Sequence, residues 1–317
     1  MNFIGLIMFR FAVVIFLTSV IVAGCSSSSQ RDMSQEQVFI CGAYTVYTEW
    51  QNEQLKVRFG DRQDTLKQQP VASGAKFVSD DGESSFWNKG NMATFIWRGE
   101  SLPECRAADS LPKAFSASGN EPFWALSLNG KQAEVSTPEK EWIATVASVE
   151  PVNEGSDRPS WRLSTANGDQ IDIRSEVCRD TMSGMVYPFS VSYSGQLNVT
   201  GCGGETLDLV QGPKWILTET NASMTPSSNM YIQFLADGKL VGSDGCNRRF
   251  GQYQFGSEMV HLKWVGSTRR ACSETIMQDA KTFAEAVNNV RTIGFDQNRL
   301  VIESRNGTQL KLKNEKL

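Results

Sequence analysis

Apolar residues recur mostly at every second position along this chain. Leu55, Val57 and Phe59 alternate with Lys56 and Arg58, and residues 38–48 are rich in β-branched and aromatic side chains. That period fits strands with one face in a core and the other in water. Asp81-Gly82 supplies a hairpin turn within the same segment. Asn129-Gly130 separates an alternating run at 123–128 from another at 132–136, and 142–149, 161–163, 170–174, 187–193 and 197–201 are further strand candidates. Asp237-Gly238 and Asn306-Gly307 mark two more hairpins. A helical period stands out at 273–290, where Ile276, Ala280, Phe283, Val287 and Val290 are spaced 4, 3, 4 and 3 apart. Ser273 can cap that helix, and Glu274 suits its first turn. The spacing predicts a helix covering one face of a sheet.

The pattern divides the 317 residues into modules. Residues 38–105 read as a small antiparallel barrel, 106–113 as a linker, 114–212 as a β-rich module and 213–317 as a sheet with one helix. The fold class is mainly β with one α+β domain. Length alone favours two domains, at about 150 residues each; the pattern favours three. An apolar content of 40% with 10% aromatics is enough for packed cores and excludes global disorder. A net charge of −4 gives no case for a nucleic-acid partner. The charge is uneven: residues 26–105 carry net −3, 106–212 net −6 and 213–317 net +4. An acidic front half suits a basic partner for the first module, although solvated surfaces give the same totals.

The N-terminus changes the picture. Arg10 precedes an apolar run at 11–23, too short for a membrane span of about 20 residues but suited to a signal peptide at 1–24. Val22-Ala23-Gly24-Cys25 resembles the bacterial lipobox, with Cys25 as the lipid attachment point; an uncleaved anchor is the alternative. Residues 25–37 would then form a lipidated tether. The residue after the lipidated cysteine is Ser26 rather than Asp, which by that resemblance implies the outer membrane, facing the periplasm.

Setting Cys25 aside leaves Cys41, Cys105, Cys178, Cys202, Cys246 and Cys272 in an oxidising compartment. Six cysteines allow 15 connectivities. The order of the modules favours 41–105, 178–202 and 246–272. A single histidine, His261, excludes multi-histidine metal sites and leaves little room for a catalytic triad. No P-loop or Gly-x-Ser-x-Gly elbow is present. An enzyme, a cofactor and a resident metal are therefore not expected.

Phe39, Ile40 and Cys41, then Ala72-Ser73-Gly74-Ala75-Lys76-Phe77, then Phe86-Trp87-Asn88-Lys89-Gly90, and finally Cys105 follow one another in the first module. In order and spacing they resemble the family of membrane-bound lysozyme inhibitors of C-type lysozyme. The resemblance implies an eight-stranded barrel and a C-type lysozyme as protein partner. It implies a lysozyme-binding surface of Ser73, Lys89, Gly74 and Phe77, with the polar contact roles carried by Ser73 and Lys89. Phe77 stands where the family has tyrosine, so a hydroxyl is lost. The chemistry is coherent: a glycosidase cleft holds two carboxyl groups, and an ammonium with a hydroxyl complements them.

Residues 115–204 resemble an uncharacterised module of envelope lipoproteins, through Ser118-Gly119-Asn120-Glu121-Pro122-Phe123-Trp124, the stretch 178–189 and Gly201-Cys202-Gly203-Gly204. Glu121 and Asp180 read better as turn-forming residues than as acid–base groups. Residues 214–315 resemble the META domain of the heat-inducible HslJ lipoproteins, through Trp215, Gly245-Cys246-Asn247, Gly251, Tyr253, Cys272 and the helix. If Cys246 bonds Cys272, then Arg248, Arg249, Arg269 and Arg270 come to one side as a candidate anion patch.

The expected function is inhibition of C-type lysozyme by an outer-membrane lipoprotein, through Ser73 and Lys89. The rival is an envelope-stress or assembly lipoprotein acting through its middle and META modules. The sequence leaves the oligomeric state open.

Overall fold

The structure is a computed structural model describing residues 36–51, 53–152, 160–256 and 259–315. The signal segment, Cys25 and most of the expected tether lie outside the described residues. Among the described residues, no helix is long and apolar enough to cross a membrane.

The first sheet contains β1 (Glu36–Cys41), β2 (Tyr44–Gln51), β3 (Gln54–Phe59), β4 (Arg62–Gln69), β5 (Ala75–Val78), β6 (Ser85–Lys89), β7 (Met92–Trp97), β8 (Glu100–Ser101) and β9 (Cys105–Ala107). Their order is β6-β5-β4-β3-β2-β1-β9-β7-β8, and β6 pairs again with β7. Eight strands thus close into a barrel, with β8 attached to β7. The alternation puts Leu55, Val57 and Phe59 inside together with Phe39, Phe86 and Phe95. These rings meet edge-on, Phe39 on Phe86 at 5.0 Å and Phe59 on Phe95 at 5.8 Å between centroids. The barrel extends beyond 38–105 at both ends. Glu36 and Gln37 pair with β2, and Phe39 pairs with Ala107. Residues expected in the tether and linker therefore belong to the sheet.

The middle sheet is also a closed barrel, with eight strands from Ala114–Asn120 to Val199–Gly203. Its first and last strands pair through Ala117↔Gly203 and Ser118↔Cys202. A Cβ on Gly203 would strike the Phe115 ring and the Ala117 methyl, so closure needs glycine there. A ribbon of Cys178–Arg179 and Val186–Tyr187 forms a separate two-stranded sheet. Inside the barrel the fully buried Tyr193 donates to Asp169 Oδ2 at 2.5 Å. Asp169 Oδ1 accepts from the Gln196 backbone N–H at 2.9 Å. Burial alone would raise the Asp169 carboxyl, but the hydrogen bonds from Tyr193 and Gln196 bring it below the usual range.

The C-terminal sheet has eight strands, running in space from Val260–Ser267 through Arg248–Phe255, Lys239–Asp244, Met230–Phe234, Lys214–Thr220, Gln309–Asn314 and Arg299–Ser304 to Val290–Asp296. The helix Glu274–Asn288 packs against the strands Val260–Ser267, Lys239–Asp244 and Arg299–Ser304. Its buried face is Ala280, Phe283, Ala284 and Val287 with Asp279. Ile276, expected on that face, is exposed. The buried stripe is carried instead by the later turns of the helix. Ser273 occupies the N-cap position without a side-chain cap bond.

Among the described residues the disulfides are Cys41–Cys105, Cys178–Cys202 and Cys246–Cys272. The first barrel touches the segment that leads into the C-terminal sheet. Ala43 N–H donates to Gln211 O at 2.9 Å, and Gly212 approaches the Tyr44 ring too closely for a Cβ.

The Tyr193–Asp169 pair makes alkaline stability a test of the middle barrel. Burial, then the bond to Asp169, pushes the phenol from 10.0 up to about 12. A raised folded pKa means stabilisation that is complete below pH 10 and lost as pH climbs toward 12. Chemical denaturation should show the wild type losing roughly 2–3 kcal/mol over that window relative to Tyr193→Phe. Parallel pH profiles for the two proteins would show that the pair contributes nothing.

Candidate functional site

The expected contact residues lie at one rim of the first barrel. Strands β5 and β6 pair with Ala75 opposite Asn88, Lys76 opposite Trp87 and Phe77 opposite Phe86. Alternation turns Phe77 and Phe86 into the core and leaves Trp87 half-buried on the outside. The loop leading into β5 folds back over this outer face. The Trp87 indole N–H donates to the Ser73 carbonyl at 3.1 Å. Lys89 Nζ sits 3.7 Å from the centroid of the same ring, within cation–π range. Trp87 thus holds the Ser73 backbone and the Lys89 head on one side chain.

Gly74 completes the arrangement. Its φ is +73°, and a Cβ there would collide with the Asn88 carbonyl oxygen and press on Lys89 Cγ. Glycine is what lets the loop lie against β6. Ser73 and Lys89 are both exposed, and both meet the Trp87 side chain, one through its backbone carbonyl and the other through its ammonium. Phe77 requires a correction. It is 2% exposed and packs edge-on against Trp50 at 4.9 Å, so it offers no contact surface. Its place is to anchor β5 beneath the loop. The loop itself is tied to β6 by the bond from Trp87 to the Ser73 carbonyl. The sequence motif contained Trp87, but its bridging role needs the β5–β6 register to be seen.

The middle barrel places its motif carboxylate in a turn. Asp180 Oδ1 accepts from the backbone N–H of Met182 at 3.1 Å and of Ser183 at 2.6 Å, and Oδ2 accepts from the Asn120 amide at 2.6 Å. Burial opposes these bonds, yet they hold the carboxyl below its usual range. Glu121 precedes Pro122 across a cis peptide bond. A groove of about 660 Å³ runs beside this turn, with Phe123 and Met182 exposed at its edge.

The candidate anion patch does not form as a set of four. The Cys246–Cys272 bridge and the bond from Arg270 N–H to Asn247 Oδ1, at 2.7 Å, do bring the two segments together. Arg248 and Arg249, however, are consecutive strand residues and point to opposite faces. Arg249 Nε reaches the fully buried Asp244 carboxylate at 2.5 Å, which also accepts from the Cys246 and Asn247 N–H groups. Arg249 is internal to the turn, leaving Arg248, Arg269 and Arg270 on the surface. His261 is an exposed strand residue. Among the described residues, no group of three or more His, Cys, Asp or Glu could hold a metal ion.

The family model described as membrane-bound lysozyme-inhibitor of c-type lysozyme matches residues 42–103. The META domain model matches residues 207–316. No curated protein matches the chain. Among solved structures, a protein from Burkholderia xenovorans is 19% identical with a TM-score of 0.31, covering 34% of this chain and 86% of its own. A duf4847 family protein from Bacteroides vulgatus is 15% identical with a TM-score of 0.29, covering 36% and 99%. The virginiamycin B lyase of Staphylococcus aureus is 10% identical with a TM-score of 0.17, covering 89% and 96%.

Two glycines separate backbone strain from packing in the first barrel. Gly82 has φ +78° like Gly74 at +73°, but a Cβ on Gly82 meets open space. Gly82→Ala should cost about 1 kcal/mol, whereas Gly74→Ala should cost roughly 2–3 kcal/mol, read from denaturant midpoints. Equal costs would mean that the loop does not press on β6.

Proposed function

We propose that this chain is an envelope lipoprotein whose first barrel inhibits C-type lysozyme. The observation that carries the reading is the joint hold of Trp87 on Ser73 and Lys89, within the segment that matches the inhibitor family. A lysozyme cleft contains one protonated and one ionised carboxyl group. Lys89 supplies an ammonium for the ionised group, and Ser73 supplies a hydroxyl for the other. Because the rim is already ordered, little side-chain freedom is lost on binding. Inside the cleft, away from water, the charge-assisted bond is stronger than it is at a free surface. The net charge of −3 on residues 26–105 favours encounter with a basic enzyme.

Cys25 would attach the protein to the outer membrane, with residues 26–35 as the tether toward the periplasm. No catalytic group of its own is required. The META match spans more of the chain than the inhibitor match. That favours a second reading, in which envelope stress or assembly is the main task and the first barrel is a scaffold.

A turbidity assay with C-type lysozyme separates the two. The full chain should inhibit at micromolar concentration, and Lys89→Ala should weaken inhibition by about a hundredfold, with Ser73→Ala losing about tenfold. Both variants should melt as the wild type does, since neither side chain is buried. A wild-type protein that leaves lysozyme fully active would overturn the inhibitor reading.

A further inference from the structure

Three arginines from separate segments line a cleft of about 540 Å³ between the middle barrel's 179–184 hairpin and the C-terminal sheet. Arg179 ends the strand Cys178–Arg179, Arg291 lies in Val290–Asp296, and Arg305 follows Arg299–Ser304. The Arg179 head group lies between two glycines. A Cβ on Gly184 would sit 3.4 Å from its Nη2, and one on Gly294 would sit 3.7 Å from its Nη1. The guanidinium therefore lies across the seam, between its own hairpin and the neighbouring sheet.

The charge in this cleft is not balanced from within. Among the described residues, Arg179 and Arg305 have no carboxylate partner, and Arg291 meets Glu303 only at 3.9 Å. The carboxylate in the described cleft wall, Asp180, is committed to its own turn and to Asn120. Like charges gathered in a concave site raise the local potential and favour an anion between them. Guanidinium forks match the tetrahedral oxygens of phosphate. Met182 and Met259, both exposed, add an apolar lip to the same cleft. A cation set beside an apolar lip suits an amphiphile better than a bare ion.

We propose that this cleft binds a phosphate-bearing ligand, with Arg179, Arg291 and Arg305 holding the phosphate and the two methionines meeting an attached apolar chain. The site is independent of the lysozyme reading, since none of its residues belongs to the first barrel. It differs from the Arg248, Arg269 and Arg270 surface in being concave and in joining two sheets.

Calorimetric titration of the full chain tests it with two probes, inorganic phosphate and dihexanoyl phosphatidylglycerol below its micelle threshold. Wild type should bind the lipid, and Arg179→Gln/Arg305→Gln should lose about tenfold or more in affinity. The control Arg248→Gln/Arg269→Gln should bind as wild type does. Tighter binding of the lipid than of inorganic phosphate, reduced by Met182→Ser, supports the amphiphile. Equal binding of the two probes would assign the cleft to a free phosphate and overturn the role of the methionines. Absence of binding at millimolar probe, or an unchanged affinity in the Arg179→Gln/Arg305→Gln protein, would overturn the site itself.

Discussion

Sheets of this size cannot shield their cores while leaving both edges open to water and to other strands. Two of the three large sheets answer that constraint by closing on themselves. In the first, β6 hydrogen-bonds to both β5 and β7. Each of the eight barrel strands then has a neighbour on both sides, and alternate side chains fill the interior, led by Phe39, Phe77, Phe86 and Phe95. The Cys41–Cys105 bridge ties β1 to β9, strands that already pair. In the middle barrel the same closure falls on Gly203, where any larger residue would meet Phe115. The C-terminal sheet is not closed by pairing among its described strands; its helix packs across it instead.

Closure also decides where chemistry can sit. The barrel interiors are filled, so exposed polar groups gather on rims and on the turns that join strands. Ser73 and Lys89 occupy such a rim, and their positions depend on core residues. Phe77 and Phe86 fix β5 and β6, the register fixes Trp87 beside the returning loop, and Trp87 fixes the two exposed groups. The energetic role of the core at this site is thus to hold the Ser73 backbone and the Lys89 ammonium in place.

Much of this was legible in the sequence. The alternation at 55–59 and the Asp81-Gly82 and Asn129-Gly130 turns emerge as strands and hairpins, because a period of two and a required positive φ are local properties. What escaped was non-local. The pairing of Ala117 with Gly203 joins residues far apart in the chain, and no local pattern announces it. The 4-3-4 spacing gives both the helix and its buried positions Ala280, Phe283 and Val287, but not the exposure of its first turn. Ile276 continues the heptad-like spacing, yet the exposed position shows that the sheet does not extend beneath that turn. Phe77 and Arg249 were assigned to surfaces from motif and charge alone. A strand's inward phase claimed the first and a buried carboxylate, Asp244, the second. The arginine cleft is assembled from two sheets, so no single segment carries its signal.

The pairing of first and last strands in the middle barrel has a topological outcome. Its chain enters and leaves on adjacent strands, Ala114–Asn120 and Val199–Gly203. The barrel therefore behaves as a cassette set between its neighbours rather than as a spacer that holds them apart. This is how Ala43 and Gln211, on either side of it in sequence, come to share a backbone hydrogen bond. The cassette is nonetheless keyed to its C-terminal neighbour, because Met185 and Val186 of its ribbon are buried in that neighbour's core.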